Sequence, residues 1–151
     1  MVDVSEKAIT VRQATARGSV AMQAATAKMI RSGDAKKGDV LAVARLAAIQ
    51  ASKWTPQLIP LCHAIPIEAV QVDFAWSEID NDANTASLQC DVTVRTSAKT
   101  GVEMEAMTAV SVACLTVYDM VKSVDRAITI GPIQLIAKSG GKSGDFRRPD
   151  C

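Results

Sequence analysis

Aromatic side chains are nearly missing from this chain: two Trp, one Tyr and two Phe stand among 151 residues. A core of ordinary density must then be built from Ala, Val, Ile, Leu and Met. The 48% hydrophobic content supplies enough of them for one domain, residues 1–151. Histidine is scarcer still, with His63 alone. The four cysteines, Cys62, Cys90, Cys114 and Cys151, show no C-x-x-C spacing. One imidazole and scattered thiols argue against a structural zinc or other resident metal. Cys90 and Cys114 fall in apolar patterns and read as small core residues. Net charge is close to zero, at +1, so no broad nucleic-acid surface is expected. No apolar run reaches the length of a membrane span, and no signal peptide opens the chain. The expected setting is the cytoplasm, with reduced thiols and no membrane partner.

What is present is patterned. Residues 8–17 alternate as a first strand, which Gly18 should break and after which Ser19 should cap a helix. Met22, Ala25, Thr26, Met29 and Ile30 recur at helical spacing up to Gly33. Asp39 caps a second helix, Val40 to Lys53, which Trp54-Thr55-Pro56 ends. The apolar stretch from Leu58 to Pro66 holds two prolines, Pro60 and Pro66, and is expected to be a buried or half-buried connector. Residues 70–76 and 86–94 alternate about the polar turn SEIDNDANT as a hairpin with one buried face. A long apolar helix runs from about Val102 to Val124, and a last strand from about Ile128 to Ala137 is interrupted at Gly131-Pro132. Merging the helix pair gives βαββαβ, an α+β, ferredoxin-like arrangement: an antiparallel sheet with helices packed on one face. The sheet surface left over calls for another subunit.

The long helix carries charge only at its ends. Glu103 and Glu105 open it; Asp119 and Lys122, at i and i+3, share one surface near its close. Such a pair is either an ordinary helix salt bridge or a working acid–base pair. His63 is either a packed core residue or a catalyst held in place by the prolines around it. The tail from Lys138 to Cys151 opens with Lys138-Ser139-Gly140-Gly141-Lys142-Ser143, which is either a solvated end or an anion-binding segment. It is no Walker P-loop: Ile136 stands where that motif needs glycine, and no helix follows. Collected, Lys37, Lys53, His63, Glu103, Glu105, Asp119, Lys122, Lys138 and Lys142 form a lysine-rich set with a few acids. Such a set suits an anionic, phosphorylated substrate and proton transfer.

KGDVLAVARLAAIQASK, LIPLCH, KTGVEMEAMTAVSVACLTVYDM and KSGGKSGDF, in this order, closely resemble the MoaC family, from Met1 to about Phe146. The resemblance implies a lyase, a cyclic pyranopterin monophosphate synthase of molybdenum cofactor (molybdopterin) biosynthesis. Its small-molecule substrate would be (8S)-3′,8-cyclo-7,8-dihydroguanosine 5′-triphosphate, a GTP-derived triphosphate. The products would be cyclic pyranopterin monophosphate and diphosphate. It further implies a ferredoxin-like homohexamer, a trimer of dimers, with its pocket at a subunit interface. Asp119 and Lys122 match the family's catalytic aspartate and lysine. Leu61-Cys62-His63 and Met104-Glu105 match substrate-binding segments. Lys37, Lys53, Glu103, Lys138 and Lys142 match charged pocket positions, and Arg12 a further phosphate contact. His63 would share the proton transfers. Ala64 and Val121 depart from residues common in the family, without loss of a charge. No cofactor is implied, though magnesium can travel on the substrate's phosphates. Two other readings compete: a hexameric scaffold or nucleotide-binding regulator, which gives Asp119 no work, and a cyclohydrolase-like enzyme, which commonly needs zinc ligands that this chain lacks.

Overall fold

The computed structural model describes residues 1–77, 79–80 and 82–149. Glu78 and Asn81 of the expected hairpin turn, and Asp150 and Cys151 of the tail, lie outside the described residues. The elements run β1 (Thr10–Gln23), α1 (Ala24–Ser32), α2 (Val40–Lys53), α3 (Thr55–Leu58), β2 (Ala69–Trp76), β3 (Thr85–Ala98), α4 (Glu103–Val121), β4 (Thr129–Ser139) and β5 (Phe146–Arg147). The sheet order is β2-β3-β1-β4-β5 and every pairing is antiparallel. This is the expected α+β, ferredoxin-like order, with β5 added as a short outer strand.

The hairpin forms because its alternation matches the pleat. Phe74 lies opposite Cys90 and Val72 opposite Val92, and Leu88, Cys90, Val92 and Val94 are all buried. The intervening residues of β3 face away from the helices. On that side Arg17 makes a two-bond pair with Asp91, at 2.8 Å each, and Thr15 bonds Thr93. Above the other face α4 lies across β1, β3 and β4, and α2 packs on α4 and β2.

Several expectations need correction. Gly18 and Ser19 do not break β1, which continues to Gln23. The glycine is there for clearance: a Cβ on it would stand 2.5 Å from Val110 Cγ1 and 3.0 Å from Cys114 Sγ of α4. Ser19 caps nothing; its hydroxyl donates to the Gly131 carbonyl at 2.9 Å, where the β1–β4 register slips. The cap of α1 comes from elsewhere. Buried Asp125 accepts from the Gln23 N–H at 2.9 Å and the Thr26 hydroxyl at 3.1 Å.

The proline connector is also more open than expected. Leu58 is 54% exposed and Leu61 71%, because none of the described elements passes over them. A short α3, with Pro56 in its first turn, precedes it. Finally, α4 does reach membrane-span length and apolarity, at 19 residues. Its buried positions, Val110, Ala113, Cys114 and Val117 among them, are instead committed to the core against the sheet. Leu115, on its outer side, is 56% exposed. Other boundaries shift: Met22 belongs to β1 and α1 starts at Ala24, α4 ends at Val121 rather than Val124, and β4 runs through Gly131 and Pro132. Asp39 accepts from the Ala42 N–H at 2.9 Å, and Gly33 closes α1 at φ 79°, a conformation that favours glycine.

Candidate active site

The charged candidates gather at the two ends of α4. At its C-terminal end, Lys122 follows Asp119 by three residues, so their side chains meet on one face. Lys122 Nζ lies 2.7 Å from Asp119 Oδ1. Lys37 comes from the loop between α1 and α2, which Gly38 turns at φ 95° and Asp39 ends. Its ammonium donates to Asp119 Oδ2 at 2.6 Å and to the Asp119 carbonyl at 2.9 Å. The helix C-terminus alone would disfavour a carboxylate there. Hydrogen bonds from Lys122 and Lys37 reverse that, holding the Asp119 carboxyl down at about 2 and the Lys122 ammonium above its ordinary value. All three side chains stay about half exposed. Asp119 is therefore an ionised carboxylate clasped by two cations that remain open to a ligand. It becomes a better proton acceptor when those cations turn to another anion.

At the N-terminal end lies a cavity of about 910 Å³, ringed by Arg12, Lys99, Lys138 and Lys142 with Glu6 and Glu103. Lys138 Nζ stands 3.5 Å from Glu103 Oε1 and donates to Ser143 Oγ at 2.7 Å. Gly140 and Gly141 both take positive φ, and Arg12 runs where a side chain on Gly141 would be. The Gly140-Gly141 turn thus lies against Val11 and Arg12 of β1, while Lys142 to Arg147 stay exposed. With Lys7, Arg12 and Lys99, the tail's Lys138 and Lys142 make this cavity a cradle of five cations, while the Gly140 N–H is already given to Asp145 Oδ1 at 3.2 Å.

A second cavity, of about 370 Å³, joins the first along Lys7, Thr100, Gly101 and Glu103. Leu61, Cys62, His63, Met104 and Glu105 line it. Glu105 is 3% exposed, and burial pushes its carboxyl up, with Glu103's charge adding to the shift. Burial likewise raises the Cys62 thiol, with Glu105's charge adding to it. The His63 ring nitrogen Nε2 is 2.8 Å from the Val2 carbonyl oxygen. Cys90 and Cys114 are buried far up their range, at about 12 and about 11, and serve as core. Among the described residues, no group of three His, Cys, Asp or Glu side chains is arranged to hold a metal ion.

Of the expected residues, Arg12, Glu103, Lys138 and Lys142 converge in one cavity, and Leu61, Cys62, His63, Met104 and Glu105 in its neighbour. Lys37, Asp119 and Lys122 converge separately. Sixteen positions of helix, about 24 Å at ~1.5 Å per residue, part Glu103 from Asp119. Lys53, exposed at the end of α2, lines neither cavity. Lys7, Lys99 and Thr100 were not among the candidates. Lys99 and Thr100 open the very segment KTGVEMEA, and a lysine at a strand–helix junction was the available signal. Lys7 sits in no pattern that would have raised it.

Residues 1–141 match the profile of the MoaC family. The cyclic pyranopterin monophosphate synthase of Rhodopirellula baltica is 62% identical, over 98% of this chain and 87% of its own length. That of Thermomicrobium roseum is 55% identical, over 99% and 87%, and that of Parvibaculum lavamentivorans 55%, over 97% and 89%. With a family match over most of its length and relatives this similar end to end, the chain is an enzyme that belongs to the MoaC family.

Proposed function

We propose that this enzyme converts (8S)-3′,8-cyclo-7,8-dihydroguanosine 5′-triphosphate to cyclic pyranopterin monophosphate and diphosphate, in molybdenum cofactor biosynthesis. The observation that carries the reading is the pairing of a cation-lined cradle with a clasped carboxylate, on a chain whose named relatives are synthases of that product. The cradle cations, Arg12, Lys138 and Lys142, would hold the triphosphate and offset charge as diphosphate leaves. Rebuilding the purine-derived ring needs several proton transfers, which Asp119, Lys122 and His63 would share. No step calls for a resident cofactor; magnesium can accompany the phosphates.

Proton transfer needs heavy atoms within about 3 Å of each other. The two ends of α4 therefore cannot serve one substrate from within one protomer. A site that uses both has to be assembled from two copies, the Asp119 end of one meeting the cradle of the other. Exposed Trp54, Leu58 and Leu61, beside α2, offer apolar surface for such an association. We infer a cytoplasmic homohexamer, a trimer of dimers, with sites between subunits. The test is incubation with the cyclised GTP derivative and chromatographic detection of cyclic pyranopterin monophosphate. Recovery of unchanged substrate by a folded oligomer sinks the reading.

A further inference from the structure

His63 follows Cys62 in a connector with no regular secondary structure, so no ladder or helix sets the orientation of its ring. Among the described residues, the ring makes one hydrogen bond, between Nε2 and the Val2 carbonyl oxygen at 2.8 Å. A carbonyl oxygen has no proton to give, so Nε2 must be the donor. A neutral imidazole carries one N–H, and the bond it makes decides which nitrogen keeps it.

We propose that the N-terminal arm, residues 1–9, is a positioning element of the site: the Val2 main-chain carbonyl fixes His63 as its Nε2–H tautomer and leaves Nδ1 as the ring's proton acceptor. The arm serves the two cavities rather than the core, with Glu6, Lys7 and Ala8 in the wall of the larger one. It contributes nothing to the core, with Met1 75% and Val2 73% exposed. Polar bonds shape it instead. The Ser5 N–H donates to Asp3 Oδ1 at 2.8 Å, and the Lys7 N–H to the Val4 carbonyl at 3.1 Å. Lys99 Nζ, from the rim of the cradle, donates to the Ser5 carbonyl at 2.6 Å. The arm is thereby laid along the smaller cavity, where Val2 and Val4 join Cys62, His63 and Glu105 in the wall. One short segment thus touches the histidine and a cradle lysine through two main-chain carbonyls.

The inference rests on the reading that His63 takes part in proton transfer, but its test does not. Because His63 is the single histidine, protein labelled with ¹⁵N-histidine gives one pair of ring signals that needs no assignment. In alkaline buffer, where imidazole is neutral, the full chain should show protonated Nε2, unprotonated Nδ1, and an Nε2 proton that exchanges slowly with water. Deleting residues 1–4 should return the ring to averaging between tautomers with fast proton exchange. Lys99→Met, which frees the arm at Ser5 and leaves Val2 and His63 in place, should shift the signals the same way by less. A ring averaged or protonated at Nδ1 in the full chain, or a spectrum unmoved by the deletion, overturns the proposal. Turnover is read separately. Normal turnover of His63→Gln, beside a fixed tautomer in the parent chain, removes His63 from the reaction, and with it the arm's part in catalysis.

Discussion

Two carboxyl groups in this molecule are moved in opposite directions by their surroundings. Two ammonium groups hold Asp119 ionised, with its carboxyl at about 2. Asp119→Asn keeps the size and removes the charge and the basicity. It should preserve fold and assembly, leave substrate affinity within a few-fold, and lower single-turnover rates about a hundredfold or more, the scale expected for a lost acid–base group. Lys122→Ala should be severely impaired too, with the double variant little worse than the poorer single. Near-normal turnover of a folded Asp119→Asn protein would reduce the trio to a surface ion cluster. Glu105 is the opposite case, raised by burial. A carboxyl that holds its proton more tightly folded than unfolded adds stability below its unfolded value. It loses that contribution as pH rises through its folded one. Thermal melts across pH should therefore show Glu105→Gln gaining on the parent chain from acid to neutral pH. Equal melting shifts at pH 4 and pH 8 would contradict the assignment.

At the scale of elements, the alternating hairpin and the capped α2 were legible because each signal is local: period two for the strands, an acid before an apolar run for the helix. The length of β1 was not. Glycine and serine punctuate chains, and nothing local says that Gly18 is small because Val110 of α4 presses on it from far along the sequence. Asp125 was missed for the same reason, since a helix cap supplied from a hundred residues away leaves no local pattern. The two charged ends of α4 could be read, but that they lie apart could not, since a list of candidates has no distances. Gly18→Val tests the contact. Overpacking there should cost about 1–3 kcal/mol in chemical denaturation. Unchanged stability would mean that the helix stands off the strand. Asp125→Ala strands the part-buried Gln23 N–H and the buried Thr26 hydroxyl and should cost a similar ~1–3 kcal/mol.

For the whole molecule, the proposed site between subunits would make assembly part of the chemistry. The proposed hexamer, six times the 16.0 kDa protomer, is checked by sedimentation equilibrium; a monomer alone at micromolar concentration would rule it out. A sharper test mixes defective partners. Asp119→Asn and Lys138→Ala proteins, each impaired alone, should regain activity when unfolded and refolded together. Random pairing then builds about a quarter of the sites from two intact halves. No recovery in verified mixed oligomers would return both ends of the site to one chain.

Helix α4 also works as a ruler. It joins the two charged clusters with no loop between them to absorb a change in length. One residue added within it would advance Asp119 by ~1.5 Å and turn it by about 100° about the axis relative to Glu103. The clasp would then face another direction from the cradle, and the two could not both meet their counterparts across the proposed interface. Point changes along α4 can be accommodated one by one, but an insertion or deletion there has no small version. Gene variants of this enzyme should therefore tolerate length changes in the turn between β2 and β3 and none between Glu103 and Asp119.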